Sequence, residues 1–174
     1  MGATGLQRTW TDNILWHHAT HLVDVGLWTV SGGDMSTADE RIRNVYSFMP
    51  AVDDRTGILM ELALAIETRD DQAVVCTGSY CAHHRIYDVL TVSDRDDYYV
   101  DELRSTLTTG QGERPIPTEQ ENAQQIAPEF VDAVKDGREP AVPSWSVLPT
   151  MRVLHRAQDR WMQPTASNCC LAGQ

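Results

Sequence analysis

The stretch that decides the fold of this chain is WTDNILWHHATHLVDVGLWTVSGG, residues 10–33. Its apolar side chains recur at helical spacing, which indicates that one side of a helix is buried. The predicted buried positions are Ile14, Leu15, Leu22, Val25 and Trp28. Thr11 or Asp12 is the expected cap at the start, and Gly32 and Gly33 supply the left-handed backbone that ends a helix. We therefore predict one helix across this stretch.

The same helix carries the candidates for chemistry. His17, His21 and Asp24 fall at positions i, i+4 and i+7, which places them on one stripe. His18 points roughly a quarter-turn away from that stripe. Two imidazoles above a carboxylate suit proton transfer, a hydrogen-bonded structural network or metal binding. This helix is therefore the candidate site, and the three interpretations stay open.

The composition of the chain excludes several classes of protein. Its 174 residues fit one domain, or one domain and a tail, and a hydrophobic fraction of 41% is sufficient for a core. A formal net charge of −11 argues against nucleic-acid binding, which needs clustered Lys and Arg. No run approaches the ~20 apolar residues of a membrane span. The first residues lack the pattern of a signal peptide, so we expect a cytoplasmic protein.

The four cysteines carry no message about function. Cys76 and Cys81 lie in or near a predicted strand, and Cys169 and Cys170 are adjacent. Adjacent cysteines rarely bridge each other, and no zinc-ribbon spacing is present. We expect reduced thiols and no structural metal.

The middle of the chain reads as a series of strands. The predicted strands are residues 45–49, 58–68, 73–80, 85–93 and 98–107. The clearest is ILMELALAIET, residues 58–68, whose larger apolar side chains alternate on one face, although propensity alone also permits a helix. The turn signal at residues 69–71 favours a hairpin to the next strand. Residues 108–117 read as a loop.

Two helices are predicted after the strands. The first covers residues 118–136, with Pro128 as a residue that can divide it. Its apolar positions are Ile126, Phe130, Val131 and Val134. The second covers residues 144–161 with Ser144 as its cap. Its predicted apolar stripe is Val147, Leu148, Met151, Leu154 and Ala157.

This order of elements predicts an α+β fold, with an open-faced, mainly antiparallel sheet and helices on one face. The strands do not alternate cleanly between apolar and polar residues, so the second sheet face should also be buried. We predict that a homodimer buries it. The expected domain spans residues 10–163, between an N-terminal extension at residues 1–9 and a tail at residues 164–174.

Three segments carry a resemblance to a known family. They are WTDNILWHHATHLVDVGLW at residues 10–28, PEFVDAVKDGREP at residues 128–140 and SVLPTMRVLHRA at residues 146–157. With these segments the chain resembles the C-terminal domain of the Gfo/Idh/MocA oxidoreductases, which are NAD(P)-dependent dehydrogenases. The resemblance covers most of residues 8–162. The Trp16-His17-His18 motif agrees with a branch of the family that acts on a carboxylated semialdehyde.

The resemblance implies roles for several residues. His21 matches the family histidine that acts in proton transfer at the reacting oxygen, and His17 stands where the family usually has Asp. Asp24 continues the pattern and is placed to orient an imidazole, while Trp16 and His18 belong to the substrate side. The family domain also forms the dimer through its open sheet.

Two arginines are candidates for binding a substrate carboxylate. Arg8 precedes the first helix, and Arg85 lies on a predicted strand. Arginine pairs with a carboxylate through two parallel hydrogen bonds. An ordinary surface position is the simpler interpretation of each, since exposed ion pairs contribute little.

The resemblance also implies NAD(P), held by a cofactor domain that precedes this one in the family. That domain starts with a strand, a glycine-rich turn and a helix, which residues 1–6 do not supply, and the usual catalytic Lys is absent. We therefore expect that these residues alone bind no NAD(P), and that a separate cofactor-binding protein is a possible partner.

Two alternative functions remain at this point. One is a non-catalytic binding or scaffold protein that retains the fold. The other is a small metalloprotein that uses His17 and His21, with His83 or His84 as a further ligand. The substrate-binding and dimerisation domain of a dehydrogenase is the interpretation we favour.

Overall fold

The computed structural model of this chain describes residues 13–50 and 52–162. The α-helices there are α1 (Ile14–His17), α2 (Ala19–Val30), α3 (Ala38–Arg41), α4 (Glu119–Asp136) and α5 (Leu148–Met162), with a 3₁₀ turn at Ser144–Val147. The strands are β1 (Ile42–Phe48), β2 (Glu61–Thr68), β3 (Ala73–Ser79), β4 (Asp88–Val92), β5 (Asp97–Asp101), β6 (Thr106–Thr109) and β7 (Gly112–Pro115). No helix in the described ranges has the length and apolar character needed to cross a membrane.

The chain divides into two compact units. The first unit runs to Cys81 and resumes at Ser144, and the second unit is Ala82–Pro143. The first contains the sheet β1-β2-β3, and the second contains the sheet β4-β5-β6-β7. Every described strand pair is antiparallel. The predicted α+β class with open antiparallel sheets is confirmed, and the strands form two sheets where one meander was predicted.

Strand β2 is the centre of the first sheet. Its Leu62, Leu64 and Ile66 are buried, as the alternation predicted, and the hairpin to β3 is present. Thr68 donates its backbone N–H to the carbonyl of Gln72 at 2.9 Å and closes the turn. The alternation of apolar residues therefore predicted a strand correctly in this segment, although helix propensity also permitted a helix.

Helices α2 and α5 cover one face of this sheet. Helix α2 packs on β3, helix α5 packs on β1, and the two helices contact each other. The buried side chains between these layers include Val23, Leu27, Val45, Leu62, Leu64, Ile66, Val74, Val153 and Leu154. A Cβ atom on Gly26 of α2 would overlap the side chain of Val74, so the helix approaches β3 as closely as its backbone permits.

The opposite face of the first sheet carries exposed apolar side chains. Tyr46 is 47% exposed, Phe48 66% and Val75 70%. Ala63 and Ala65 of β2 lie beside them, since Phe48 pairs with Ala63 and Ala65 pairs with both Tyr46 and Val75. The five side chains form one apolar surface, here called the outer face.

The first predicted helix is wrong in two respects. It is two helices that meet at His18, and its first cap is Asn13, whose side chain accepts the Trp16 backbone N–H at 3.0 Å. Thr11 and Asp12, the predicted caps, lie outside the described residues. The predicted end is correct, because the left-handed Gly32 and Gly33 follow Val30 and Ser31.

The buried side of α2 also differs from the prediction. Val25 is 42% exposed and Trp28 is 58% exposed, whereas Ala19, Val23 and Leu27 are buried. Gly26 of α2 lies against Val74 of β3, so the side of α2 that carries Gly26 faces the sheet. Hydrophobicity alone assigned the larger residues to the core, and that assignment was wrong for Val25 and Trp28.

The second unit departs from the predicted strands at three places. Residues 98–107 form two strands, β5 and β6, because the chain reverses at residues 102–105, where Ser105 has a φ of 51°. The predicted loop contains β7, paired with β6. Strand β4 begins at Asp88, so Arg85 precedes it and is not on a strand.

The last two helices confirm the predicted segments and correct their faces. Helix α4 is continuous through Pro128 and is held by a capping box between Thr118 and Glu121. Its predicted apolar stripe of Ile126, Phe130, Val131 and Val134 is exposed. Helix α5 begins after the 3₁₀ turn, and its buried residues are Pro149, Thr150, Val153, Leu154 and Ala157. Val147, Leu148 and Met151, which were predicted to be buried, are exposed.

Candidate functional site

The junction of α1 and α2 places the first two candidate histidines. His17 is the last residue of α1, and His18 separates it from α2. The backbone N–H of His18 still donates to the carbonyl of Ile14 at 3.2 Å, so the turn is closed although the helix is interrupted. The interruption means that His17 and His21 lie on different helices, and the shared stripe of His17, His21 and Asp24 stays a prediction.

His17, His18 and Tyr80 form a compact group, here called the His17–His18–Tyr80 cluster. Nδ1 of His17 lies 2.9 Å from the phenolic oxygen of Tyr80. The two imidazole rings are 4.5 Å apart at their centroids and inclined at 66°, and His18 meets the Tyr80 ring edge to face at 5.2 Å. The His17 ring is exposed, whereas His18 and Tyr80 are half-buried. The imidazole of His17 is thus accessible to solvent, and the rings of His18 and Tyr80 pack beneath it.

His21 lies on the side of α2 that faces away from the sheet. It is exposed, as are Val25 and Trp28 four and seven positions later on the same side. Within the described residues, the side chain of His21 forms no hydrogen bond, ion pair or ring contact. An exposed imidazole with no internal partner can exchange a proton with a bound molecule.

Asp24 has a partner that the sequence did not indicate. Its Oδ1 accepts a hydrogen bond of 2.7 Å from the hydroxyl of Thr150 on α5. Thr150 is completely buried and Asp24 is half-buried. This bond joins α2 to α5, and the interpretation of Asp24 as the residue that orients an imidazole stays a prediction.

Trp16 faces helix α5. Its indole N–H donates to Oε1 of Gln158 at 2.6 Å. Beside it is a shallow pocket of about 100 Å³. The lining residues are Asn13, Leu15, Trp16, Gly57, Ile58, Leu59, Gln158 and Trp161. Trp16 therefore has a packing role in the structure, and its role on the substrate side stays a prediction.

No described contact joins the remaining predicted site residues to the His17–His18–Tyr80 cluster. Arg8 lies outside the described residues. Arg85 is exposed in the second unit, next to the exposed His83 and His84. Across residues 13–50 and 52–162, no three His, Cys, Asp or Glu side chains lie close enough together to hold a metal.

The two described cysteines are free thiols. Cys76 lies on β3 inside the core, and burial raises the pKa of its thiol to about 11. A thiol of that pKa is protonated at neutral pH and is a poor nucleophile. Cys76 is therefore a packing residue.

The described residues do not fit a dinucleotide cofactor. The pyrophosphate of NAD(P) is bound by a glycine-rich turn within a parallel βαβ unit. Every described strand pairs only with antiparallel neighbours, and none of the described helices crosses between parallel strands. The functional groups available at the candidate site are the imidazoles of the histidines, the phenol of Tyr80 and the carboxylate of Asp24.

Tyr80 is the site residue that sequence reasoning missed. It lies one residue beyond β3 and is separated from His17 by 63 positions, so no local periodicity connects the two. Thr150 was missed for the same reason, at 126 positions from Asp24. Both contacts arise from tertiary packing, in which α1 contacts β2 and α5 while α2 contacts β3 and α5.

The chain has recognisable relatives. Residues 1–114 match the family described as bacterial oxidoreductases, C-terminal. A curated relative is the 4-carboxy-2-hydroxymuconate-6-semialdehyde dehydrogenase of Sphingobium sp. (strain NBRC 103272 / SYK-6), 28% identical over 168 residues, which cover 88% of this chain and 47% of that protein. The chain thus spans about half the length of this curated relative.

Solved structures show the same fold. UDP-N-acetylglucosamine 3-dehydrogenase GnnA from Acidithiobacillus ferrooxidans superposes with a TM-score of 0.67 at 13% identity, over 88% of this chain and 48% of that one. GenD2 from gentamicin A biosynthesis, solved in complex with NAD, gives a TM-score of 0.67 at 17% identity, over 90% of this chain and 50% of that one. At these identities the likeness concerns the fold alone. Together with the family match, it identifies this chain as a member of the family of bacterial oxidoreductase C-terminal domains.

Proposed function

We propose that this chain is the substrate-binding and dimerisation domain of an NAD(P)-dependent dehydrogenase that acts on a carboxylated semialdehyde or its cyclic hemiacetal. The observation that carries the proposal is the 2.9 Å contact of His17 with Tyr80, which groups an imidazole and a phenol at the end of α1. A curated relative is itself a dehydrogenase of a semialdehyde with a carboxyl group.

We assign a role to each site residue from the exposure of its side chain and from its hydrogen bonds. His21 is the general acid and base at the reacting oxygen, because it is exposed and has no partner within the described residues. His17 and His18 bind the oxygen atoms of the substrate, and Asp24 holds α2 against α5 through Thr150. Arg8 and Arg85 remain candidates for a second carboxylate.

The cofactor has to come from outside the described residues. Val25 and Trp28 are exposed on the side of α2 that carries His21. An apolar strip next to a catalytic histidine suits a partner that closes over the site and excludes water. We assign this strip to a cofactor-binding domain, whether it belongs to a separate protein or to the same polypeptide.

The outer face supports the dimer part of the proposal. Tyr46, Phe48 and Val75 are exposed on a sheet whose other side is covered. Ala63 and Ala65 lie between them and let a second sheet approach closely. A second copy of this chain offers the same flat apolar surface, and a two-fold interface is self-complementary.

A thermal-shift experiment on the purified chain tests the proposal. The panel contains aromatic and muconate-like dicarboxylates, NADH, NADPH and Zn²⁺. A ligand that binds only the folded state stabilises it by about 2.7 kcal/mol at 100 times its Kd. We expect the dicarboxylates to raise the Tm and the nicotinamides to leave it unchanged.

Matched variants connect the shift to the site. His17→Ala and His21→Ala should each abolish the dicarboxylate shift, and His84→Ala, an exposed histidine of the second unit, should retain it. No shift from any ligand would overturn the proposal in favour of a scaffold protein. A shift from Zn²⁺ alone would favour the metalloprotein.

A further inference from the structure

Tyr80 is held in place more firmly than the histidine that it contacts. Its backbone N–H donates to the carbonyl of Met60 at 2.8 Å, which extends the β2–β3 pairing by one residue. Its ring packs against the buried core and against His18. His17, by contrast, is exposed at the end of a single helical turn. The position of the hydroxyl is thus set by the sheet, and His17 adapts to it.

The chemistry of the contact decides where the proton lies. A neutral imidazole has one N–H donor and one bare nitrogen, and a phenol can donate or accept. The bare nitrogen of imidazole is a much stronger base than a phenolic oxygen, whose own proton dissociates with a pKa of about 10. A Tyr80 hydroxyl that donates to Nδ1 of His17 leaves the imidazole proton on Nε2.

We infer that Tyr80 is a positioning residue that fixes neutral His17 in the Nε2–H tautomer, so that His17 offers a hydrogen-bond donor to the substrate and not a base. The part of this inference that concerns the substrate rests on the proposed function, whereas the tautomer of His17 does not. It separates the roles of His17 and His21, because Nδ1 of His17 contacts Tyr80 whereas the His21 ring has no partner within the described residues. A donor at Nε2 suits a carboxylate or carbonyl oxygen, which accepts hydrogen bonds.

Nitrogen NMR of the full ¹⁵N-labelled chain tests this directly. Long-range ¹H–¹⁵N correlations distinguish protonated from bare ring nitrogens, and are recorded at about pH 8.5, two units above the ordinary histidine pKa. The sample contains no ligand, so the result does not depend on whether a carboxylate binds. The thermal-shift panel would show that the proposed function is wrong, and the ligand-free NMR spectrum would show that this inference is wrong.

The expected spectrum shows His17 with a bare Nδ1 and a protonated Nε2. In Tyr80→Phe the Nδ1 signal should lose its hydrogen-bond shift and move to the position of exposed His84. The control Tyr98→Phe, a 41% exposed tyrosine of β5, should leave His17 unchanged. If Tyr80→Phe does not fold, the wild-type Nδ1 signal of His17 decides, because the inference requires it to differ from that of exposed His84 by a hydrogen-bond shift. A protonated Nδ1 in the wild type, or unchanged His17 signals in folded Tyr80→Phe, would overturn the inference.

Discussion

The hydroxyl of Thr150 on α5 donates to Oδ1 of Asp24 on α2 at 2.7 Å, across 126 positions of the sequence. Thr150 is completely buried, so its hydroxyl has no access to water if this bond is lost. The bond joins the helix that carries His21 to the last helix of the fold.

Thr150→Val tests the importance of that bond. The substitution keeps the shape of the side chain and leaves half-buried Asp24 without its donor, so we expect a loss of about 1–3 kcal/mol in the free energy of unfolding. The matched control is Thr29→Val, which removes a hydroxyl bonded only to the Val25 carbonyl on its own helix. Denaturant unfolding should show a control effect within about 0.5 kcal/mol. Equal losses in both variants would contradict the account.

Gly26→Ala tests the close approach of α2 to β3. Alanine favours a helix by about 1 kcal/mol over glycine, but its Cβ would overlap the stiff side chain of buried Val74. We expect a net loss of about 1–3 kcal/mol on unfolding. In a Val74→Ala background, the same change should become neutral or stabilising, with a coupling energy above about 1 kcal/mol. Additive effects in this double-mutant cycle would rule out the contact.

Glu67 gives the first sheet a dependence on pH. Hydrogen bonds from the Asn44 amide and then the Arg43 guanidinium hold the pKa of Glu67 below its ordinary value of 4.5. The folded state therefore binds this proton less readily than the unfolded state. The contribution to stability is complete above pH 4.5 and is lost as the pH falls through the lowered pKa.

Unfolding curves at several pH values below 5 measure this effect. Glu67→Gln should make the free energy of unfolding less dependent on pH in that range, and Asn44→Ala should act in the same direction because it removes the larger of the two hydrogen-bond contributions. An unchanged slope in both variants would show that Glu67 does not contribute to the acid sensitivity of the fold.

Phe48→Asp tests the dimer. Phe48 is 66% exposed on the outer face, and a charge buried there without a partner would raise the dimer Kd by at least roughly 100-fold. Sedimentation should show a dimer of the 19.5 kDa chain for the wild type and a monomer for the variant. Phe130→Asp, on the exposed face of α4, should remain dimeric. A monomeric wild type at micromolar concentration would refute the dimer.

The strand pattern of β2 was predictable because its alternation is local. Leu62, Leu64 and Ile66 face the core, and a one-residue shift would turn all three to the outer face. The turn at residues 102–105 was not predictable from hydrophobicity, since the residues on both sides of it have strand-like character. It depends on the left-handed backbone of Ser105, a residue that carries no strong turn signal.

The candidate site was predictable only in part. Sequence spacing singled out His17, His18 and His21, and the structure places all three at or near the start of α2. It could not indicate Tyr80, because the contact depends on how α1 packs against the end of β3. The face of α2 was also misjudged, since the approach of Gly26 to Val74 determines which side is buried.

The most direct test of the central claim is an NMR titration of the ¹⁵N-labelled chain with a muconate-like dicarboxylate. If these residues form the substrate side of a dehydrogenase, the largest saturable shifts will map to His17, His18, His21 and Tyr80. Those shifts should be absent in His17→Ala and retained in His84→Ala. Shifts confined to the second unit, or no saturable shift at all, would contradict the assignment of this surface as the substrate site.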